Sequence, residues 1–171
     1  MSSDGTSVLV ISDTHVPLRA RDLPAAVWEE VERADLVVHA GDWVDVHLLD
    51  RLEARSRRLL ACWGNNDGPA FRERLPEVAR ETVESVRLAV VHETGAKQGR
   101  DERMRAEYPD TDLLVFGHSH IPWDTAHEGL RLLNPGSPTD RRREPHCTYV
   151  TLRLADGAVE DVVLHRLPPR T

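Results

Sequence analysis

What this chain has little of narrows the field first. Two cysteines, Cys62 and Cys147, among 171 residues exclude a disulfide framework and a four-cysteine zinc site. The longest wholly apolar runs, such as Val8–Ile11 and Leu113–Phe116, span only a few residues, far short of the ~20 that a membrane helix needs. Basic residues number 22 against 29 acidic, a net charge of −7, so a strong grip on a nucleic-acid backbone is not expected. Met1–Ser7 offers no basic stretch leading into an apolar core, so no signal peptide is read there and a cytoplasmic location is expected. No Gly-x-Gly-x-x-Gly or Gly-Lys-Ser/Thr loop occurs, which removes the dinucleotide and P-loop readings. Lysine is nearly missing as well: Lys97 stands alone beside 21 arginines, a bias that codon usage in a GC-rich genome produces without any functional cause.

What is present reads as one globular domain over residues 1–171. Hydrophobic residues make up 40% and charged residues 30%, and a chain of this length buries roughly 70% of the surface it exposes when unfolded. One pattern recurs along it. Val8–Ile11 runs into Ser12-Asp13-Thr14-His15, Leu36–Ala40 into Gly41-Asp42, and Leu59–Trp63 into Gly64-Asn65-Asn66-Asp67. Val86–Val91 runs into His92-Glu93, and Leu113–Phe116 into Gly117-His118-Ser119-His120. Short β-rich apolar runs closed by turn residues predict buried strands. Helices are expected between the first of them. Asp22 is placed to cap one with Leu23, Val27 and Val31 on a single face; Val46–Leu52 and Arg100–Tyr108 are two more. Thr148–Leu154 and Val159–Leu167 around Asp156-Gly157 predict a closing hairpin. Strand–helix alternation followed by antiparallel strands gives an α/β sandwich of two packed sheets with helices outside.

Ligands of α/β sheets bind beyond the carboxyl ends of the strands, and every one of these runs ends in a group able to bind metal. They are Asp13 and His15, Asp42, Asn65, His92, then His118 and His120. Carboxylate, amide and imidazole without thiolate suit Mn, Fe, Zn or Ni better than Ca or Mg. In Asp-x-His and His-x-His, alternate side chains of one extended backbone point the same way. A single histidine is more often structural, and His39 reads as a hydrogen-bonded core or supporting residue. His47, His127, His146 and His165 carry no motif. Five motifs in order, each at a strand end, are another matter.

Those five motifs, with the segment Asn134-Pro135-Gly136-Ser137, resemble the signature of calcineurin-like metallophosphoesterases over roughly residues 8 to 167, and in particular their small phosphodiesterase branch. The resemblance implies a four-layer α/β/β/α sandwich of two mixed sheets, with a dinuclear site at the strand C-terminal ends. Asp13, His15, Asp42 and His120 would hold one metal, and Asp42 would bridge to a second completed by Asn65, His92 and His118. Asp42, Asn65 and His92 are expected to act in catalysis. Two divalent ions, manganese foremost, would activate a water and clamp the phosphoryl group of a small phosphodiester or phosphomonoester. The same branch includes a retromer scaffold subunit, so a catalytically weak interaction protein is the alternative, and a homo-oligomer is left open. Two positions depart from the pattern. Asn66 stands where larger relatives carry a histidine taken to protonate the leaving group, and His92-Glu93 replaces the usual His-Gly. Asn66, Trp43, Trp123 and Arg141 are the expected substrate contacts, the tryptophans by walling the pocket and Arg141 by reaching a phosphate. Trp63 is expected to pack beneath the loops.

Overall fold

The computed structural model describes residues 5–169, so Met1–Asp4, most of the segment examined for a signal peptide, lies outside the described residues. Each long apolar run of the sequence becomes a strand, most of them buried on both faces. In β1 (Thr6–Ile11), Val8 and Val10 face the interior between two sheets, while Leu9 and Ile11 face a helical layer. In β6 (Leu113–Val115), Leu113 and Val115 face inward and Leu114 faces the helix on the other side. Period-two alternation between two apolar environments is why these strands read as unbroken apolar runs.

The first sheet has the order β10-β9-β1-β2-β3, with β2 (Leu36–His39) and β3 (Leu59–Ala61) parallel to β1, and β9 (Thr148–Ala155) and β10 (Ala158–Arg166) antiparallel. The second has the order β4-β5-β6-β8-β7. There β5 (Val86–Val91), β6 and β8 (Leu130–Asn134) run parallel, flanked by antiparallel β4 (Val78–Val83) and β7 (Trp123–His127). Helices α1 (Ala25–Arg33), α2 (Val46–Arg55) and α3 (Pro69–Arg74) lie along the first sheet, packing Val27, Val31, Leu48, Leu49, Leu52 and Phe71 against it. Helix α4 (Arg100–Glu107) covers the second sheet through Met104. The α/β/β/α sandwich of two mixed sheets is the expected fold.

Local differences have local causes. Asp22 does not cap α1: Pro24 holds that position, and Asp22 instead accepts from the Leu23 amide and the Trp28 indole. Helix α3 and strands β4, β7 and β8 lie beyond the sequence reading.

Candidate metal centre

No more than three residues lie between each of the five strand ends and the first functional group beyond it, and at most of the functional groups the chain turns into left-handed backbone. Asp13, His15, Asp42, His118 and His120 have φ of 56°, 44°, 61°, 75° and 63°. Side chains seldom tolerate that region, and its clustering marks strain held in place by the surroundings. The expected extended Asp-x-His and His-x-His segments are therefore corrected: the paired side chains converge through tight turns, not through strand alternation. Hydrogen bonds between loops hold these turns. Asp13 N donates to Gly41 O (2.9 Å), His15 N to Asp42 O (3.1 Å) and Gly117 N to His92 O (2.9 Å). Two glycines let the loops approach: a Cβ at Gly117 would lie 2.1 Å from Ser12 Oγ, and one at Gly64 would lie 2.3 Å from Asp42 Oδ1.

All seven expected ligands fall into two groups that share Asp13, and a rim pair. Ligand atoms of Asp13, His15 and His120 lie within 4.8 Å of one another, as do those of Asp13, Asp42 and His92. Asp42 Oδ2 is 3.4 Å from both His15 Nε2 and His92 Nε2, and Asp13 Oδ1 is 3.5 Å from His120 Nε2. At the rim, His118 Nδ1 meets Asn65 Oδ1 at 3.2 Å; Asn65 is exposed and His118 half-buried. Asp13 Oδ1, His15 Nε2, His92 Nε2 and His120 Nε2 are buried without a hydrogen-bond partner. Buried polar atoms are rarely left so. Four of them within two adjoining clusters fit bound cations, and the donor set fits Mn, Fe, Zn or Ni. The ring orientations agree: His92 Nδ1 donates to Ala40 O (2.8 Å) and His120 Nδ1 to Asp140 O (2.6 Å), which turns each Nε2 toward the centre.

Electrostatics without metal follow from crowding charges in a dry cleft. Burial raises the Asp13 carboxyl to about 7. Burial lowers His92, but the Asp42 contact and the charges of Asp13 and Asp42 outweigh it and lift the imidazole to about 9. Burial also works against an ionised Asp42, yet His92 and the two Asn66 donors hold its carboxyl well below the usual range. Burial drops His120 to about 4 and lowers His15 as well.

The supporting residues were only partly legible. Asp67 accepts four backbone amides: Asp42 N (2.9 Å) and Gly64 N (2.7 Å) on Oδ2, Trp43 N and Val44 N (both 2.8 Å) on Oδ1. Its carboxylate ties the second motif to the third, a role that its place in the Gly64–Asp67 motif does not disclose. Ser137 Oγ donates to Asp13 O (2.8 Å) and Thr139 Oγ1 to Thr14 O (2.5 Å), bracing the first motif from the segment after β8. His39 is the expected core residue, within 3.0 Å of Thr14 Oγ1.

One expected substrate contact is corrected. Trp43 is 0% exposed; it stacks on His39 at 3.6 Å and donates to Cys62 O (3.0 Å), so it is core and walls no pocket. Arg141 is exposed and donates to Glu144 O (2.7 Å) within its own loop. Asn66 is exposed, and its amide donates to Asp42 Oδ2 at 2.8 Å. Trp123 is half-buried on the edge strand β7. Trp63 packs against the core beneath Arg72, as expected. Glu93 is exposed, 3.8 Å from His118 Nε2.

Residues 7–157 match the calcineurin-like phosphoesterase superfamily domain. A probable metallophosphoesterase of Methanocaldococcus jannaschii is 32% identical over 169 residues, covering 96% of this chain and 82% of the relative. A solved Thermotoga maritima protein has 33% identity and a TM-score of 0.75, covering 95% of this chain and 99% of its own. Vps29 of Chaetomium thermophilum superposes with a TM-score of 0.78 at 21% identity, covering 95% and 97% of the two chains, a likeness of fold alone. No helix among the described residues is long and apolar enough to cross a membrane.

Proposed function

The chain belongs to the calcineurin-like phosphoesterase superfamily, and from that premise we propose that it hydrolyses small phosphoesters, phosphodiesters in preference, using two divalent ions with manganese foremost. One observation carries the reading: buried ligand atoms of Asp13, His15, His92 and His120 have no hydrogen-bond partner, and they fall into two adjoining clusters that share Asp13. Asp13, His15 and His120 would hold one ion; Asn65, His92 and His118 would hold the other. Asp42 Oδ2, 3.4 Å from an imidazole on either side, is the residue suited to both. When bound, such a pair lowers the pKa of water and offsets charge on the phosphoryl oxygens.

The chain's own residues set the rest. Asn66 steadies Asp42 through its amide and its backbone N–H (2.8 and 2.9 Å). An amide holds no acidic proton, so Asn66 does not protonate a leaving group. Half-buried His118 and exposed Asn65 face the open side, where substrate would arrive. The preference for diesters rests on the likeness of the motifs and chain length to the small phosphodiesterase branch. A scaffold role, suggested by the fold shared with Vps29, would not require a complete set of unpartnered ligand atoms. Metal analysis of manganese-reloaded protein, with an activity screen over phosphomonoesters, phosphodiesters and nucleotides, is the test. Near two ions per chain with turnover of a diester is expected, and Asp42→Asn should lose most of both. One ion at saturation ends the dinuclear reading; no turnover of any ester ends the enzymatic one.

A further inference from the structure

Helix α4 opens with Arg100, which is only 8% exposed although its helix is mostly solvated. Its guanidinium carbon lies over two aromatic rings, 4.8 Å from Phe116 and 4.6 Å from Trp123. The indole is fixed in place: Trp123 Nε1 donates to Thr125 Oγ1 (2.8 Å), which donates to Asp101 Oδ1 (2.8 Å). Yet Arg100 Nε is buried with no acceptor, and among the described residues Arg100 forms no ion pair. Other stacked arginines are either exposed, as Arg72 over Trp63 and Arg80 over Tyr108 are, or paired. Arg51 and Arg55 lie over Trp28 and pair with Asp22 and Glu32. Arg103, one turn along α4, spends its guanidinium on the carbonyls of Thr94, Ala96 and Gln98. Aromatic faces offset part of the cost of burying a cation, but they do not satisfy a donor in its plane such as Nε. The neighbouring Asp101 carboxylate acts on this guanidinium through space but accepts from Thr125 and makes no ion pair with it, which leaves the buried Nε open to an anion from outside the chain.

The place of this cation says whose anion. Phe116 directly precedes Gly117-His118. Trp123 lies in register with Asn134, whose amide donates to Gly117 O (3.1 Å) and Ser119 Oγ (3.2 Å). Arg100 ends the loop that starts at His92. The segments leaving His92 and His120 and the strand end leading into His118 therefore meet around one guanidinium, at the metal-bearing end of the second sheet. Lys97, the chain's only lysine, adds an ammonium 5.8 Å from the Trp123 ring.

We propose that Arg100, with Lys97 beside it, binds a second anionic group of the substrate, so that the preferred phosphoester carries a carboxylate or further phosphate away from the scissile bond. This rests on the phosphoesterase reading. Trp123 then serves substrate recognition by holding the guanidinium rather than by stacking on a base. The planar fork of arginine suits two-point recognition of either anion.

The test uses manganese-loaded protein and two aryl phosphodiesters identical except that one bears a carboxylate and the other its methyl amide. Arg100→Met should raise KM for the carboxylate about tenfold or more and move KM for the amide by less than about twofold, as loss of a charge-assisted contact predicts. Metal content and melting temperature should stay unchanged. Arg100→Lys should recover part of the loss, and it carries the test should Arg100→Met fail to fold. Equal changes for both esters, or none, overturn the proposal. Calorimetric titration with inorganic sulfate separates the sources. Sulfate binding lost in Arg100→Met while both esters behave alike would make this a site for a free anion and overturn the substrate assignment. If neither ester turns over, the phosphoesterase reading itself fails; sulfate heat abolished by Arg100→Met then keeps Arg100 as an anion site, and unchanged heat removes it.

Discussion

At the scale of single residues, Asn66 and Asp67 divide the third motif between chemistry and support. Asn66 gives Asp42 two donors but no proton to a departing alkoxide, and general acid catalysis is worth roughly 10²–10⁴-fold where such a proton is needed. Rates should therefore fall steeply as leaving-group pKa rises across aryl and alkyl phosphodiesters, and Asn66→His should help the poorest leaving groups most. A flat series with chemistry limiting would mean another group supplies the proton. Asp67 has a different test. Its four amide donors need both carboxylate oxygens. Asp67→Asn replaces one oxygen by a donor facing backbone N–H groups, at a cost of about 2–4 kcal/mol. Denaturant melts should show that loss together with weaker metal retention, because the Asp42 turn is what the carboxylate holds. Full stability in Asp67→Asn would remove it from that role.

At the scale of elements, the strain sits where strands end. His118 has φ of 75° and a side chain 45% exposed, so its backbone can be tested with little disturbance of packing. In metal-free protein, His118→Gly should be more stable than His118→Ala by about 1 kcal/mol, the reverse of the order inside a strand. Alanine matching or exceeding glycine in thermal melts would mean that the turn relaxes without cost. The same feature explains what the sequence made legible. Strands β1, β2, β3, β5 and β6 are apolar because both faces are covered, and each delivers its ligand just past its end, so pattern and site announced each other. Strand β7, Trp-Asp-Thr-Ala-His, is a half-solvated edge and β4 alternates weakly, so neither has a core-facing run to detect. Trp43 misled because a large aromatic beside a ligand resembles a pocket wall, whereas its stacking on His39 and its bond to Cys62 O hold it beneath the turn. Asp67 and Arg100 carried no signal of their own, since their roles depend on amides and rings distant in sequence.

At the scale of the whole molecule, the site fastens two sheets. Asp13, His15, Asp42 and Asn65 follow strands of the first sheet; His92, His118 and His120 follow strands of the second. An ion held across them ties the halves of the sandwich together, and free metal at 1,000 times its Kd would stabilise the fold by about 4 kcal/mol. Protons oppose that binding. In metal-free protein Asp13 holds its proton up to about 7 and His92 up to about 9, and both must release it to become ligands. Affinity should therefore rise with pH, by roughly two decades per unit below 7 and about one between 7 and 9. The sign for stability is opposite without metal. His92, raised from 6.5 to about 9, contributes fully below pH 6.5 and loses that contribution as pH climbs to 9. Asp13, raised from 3.8 to about 7, favours the fold less as it ionises over that lower range. From pH 7 to 9 the metal-free melting temperature should fall while the loaded protein holds, so the gap between them widens. Calorimetry in buffers of different ionisation enthalpy should count the released protons, and His92→Asn should remove one and narrow the gap. A gap that closes as pH rises would mean that His92 does not surrender a proton to the metal.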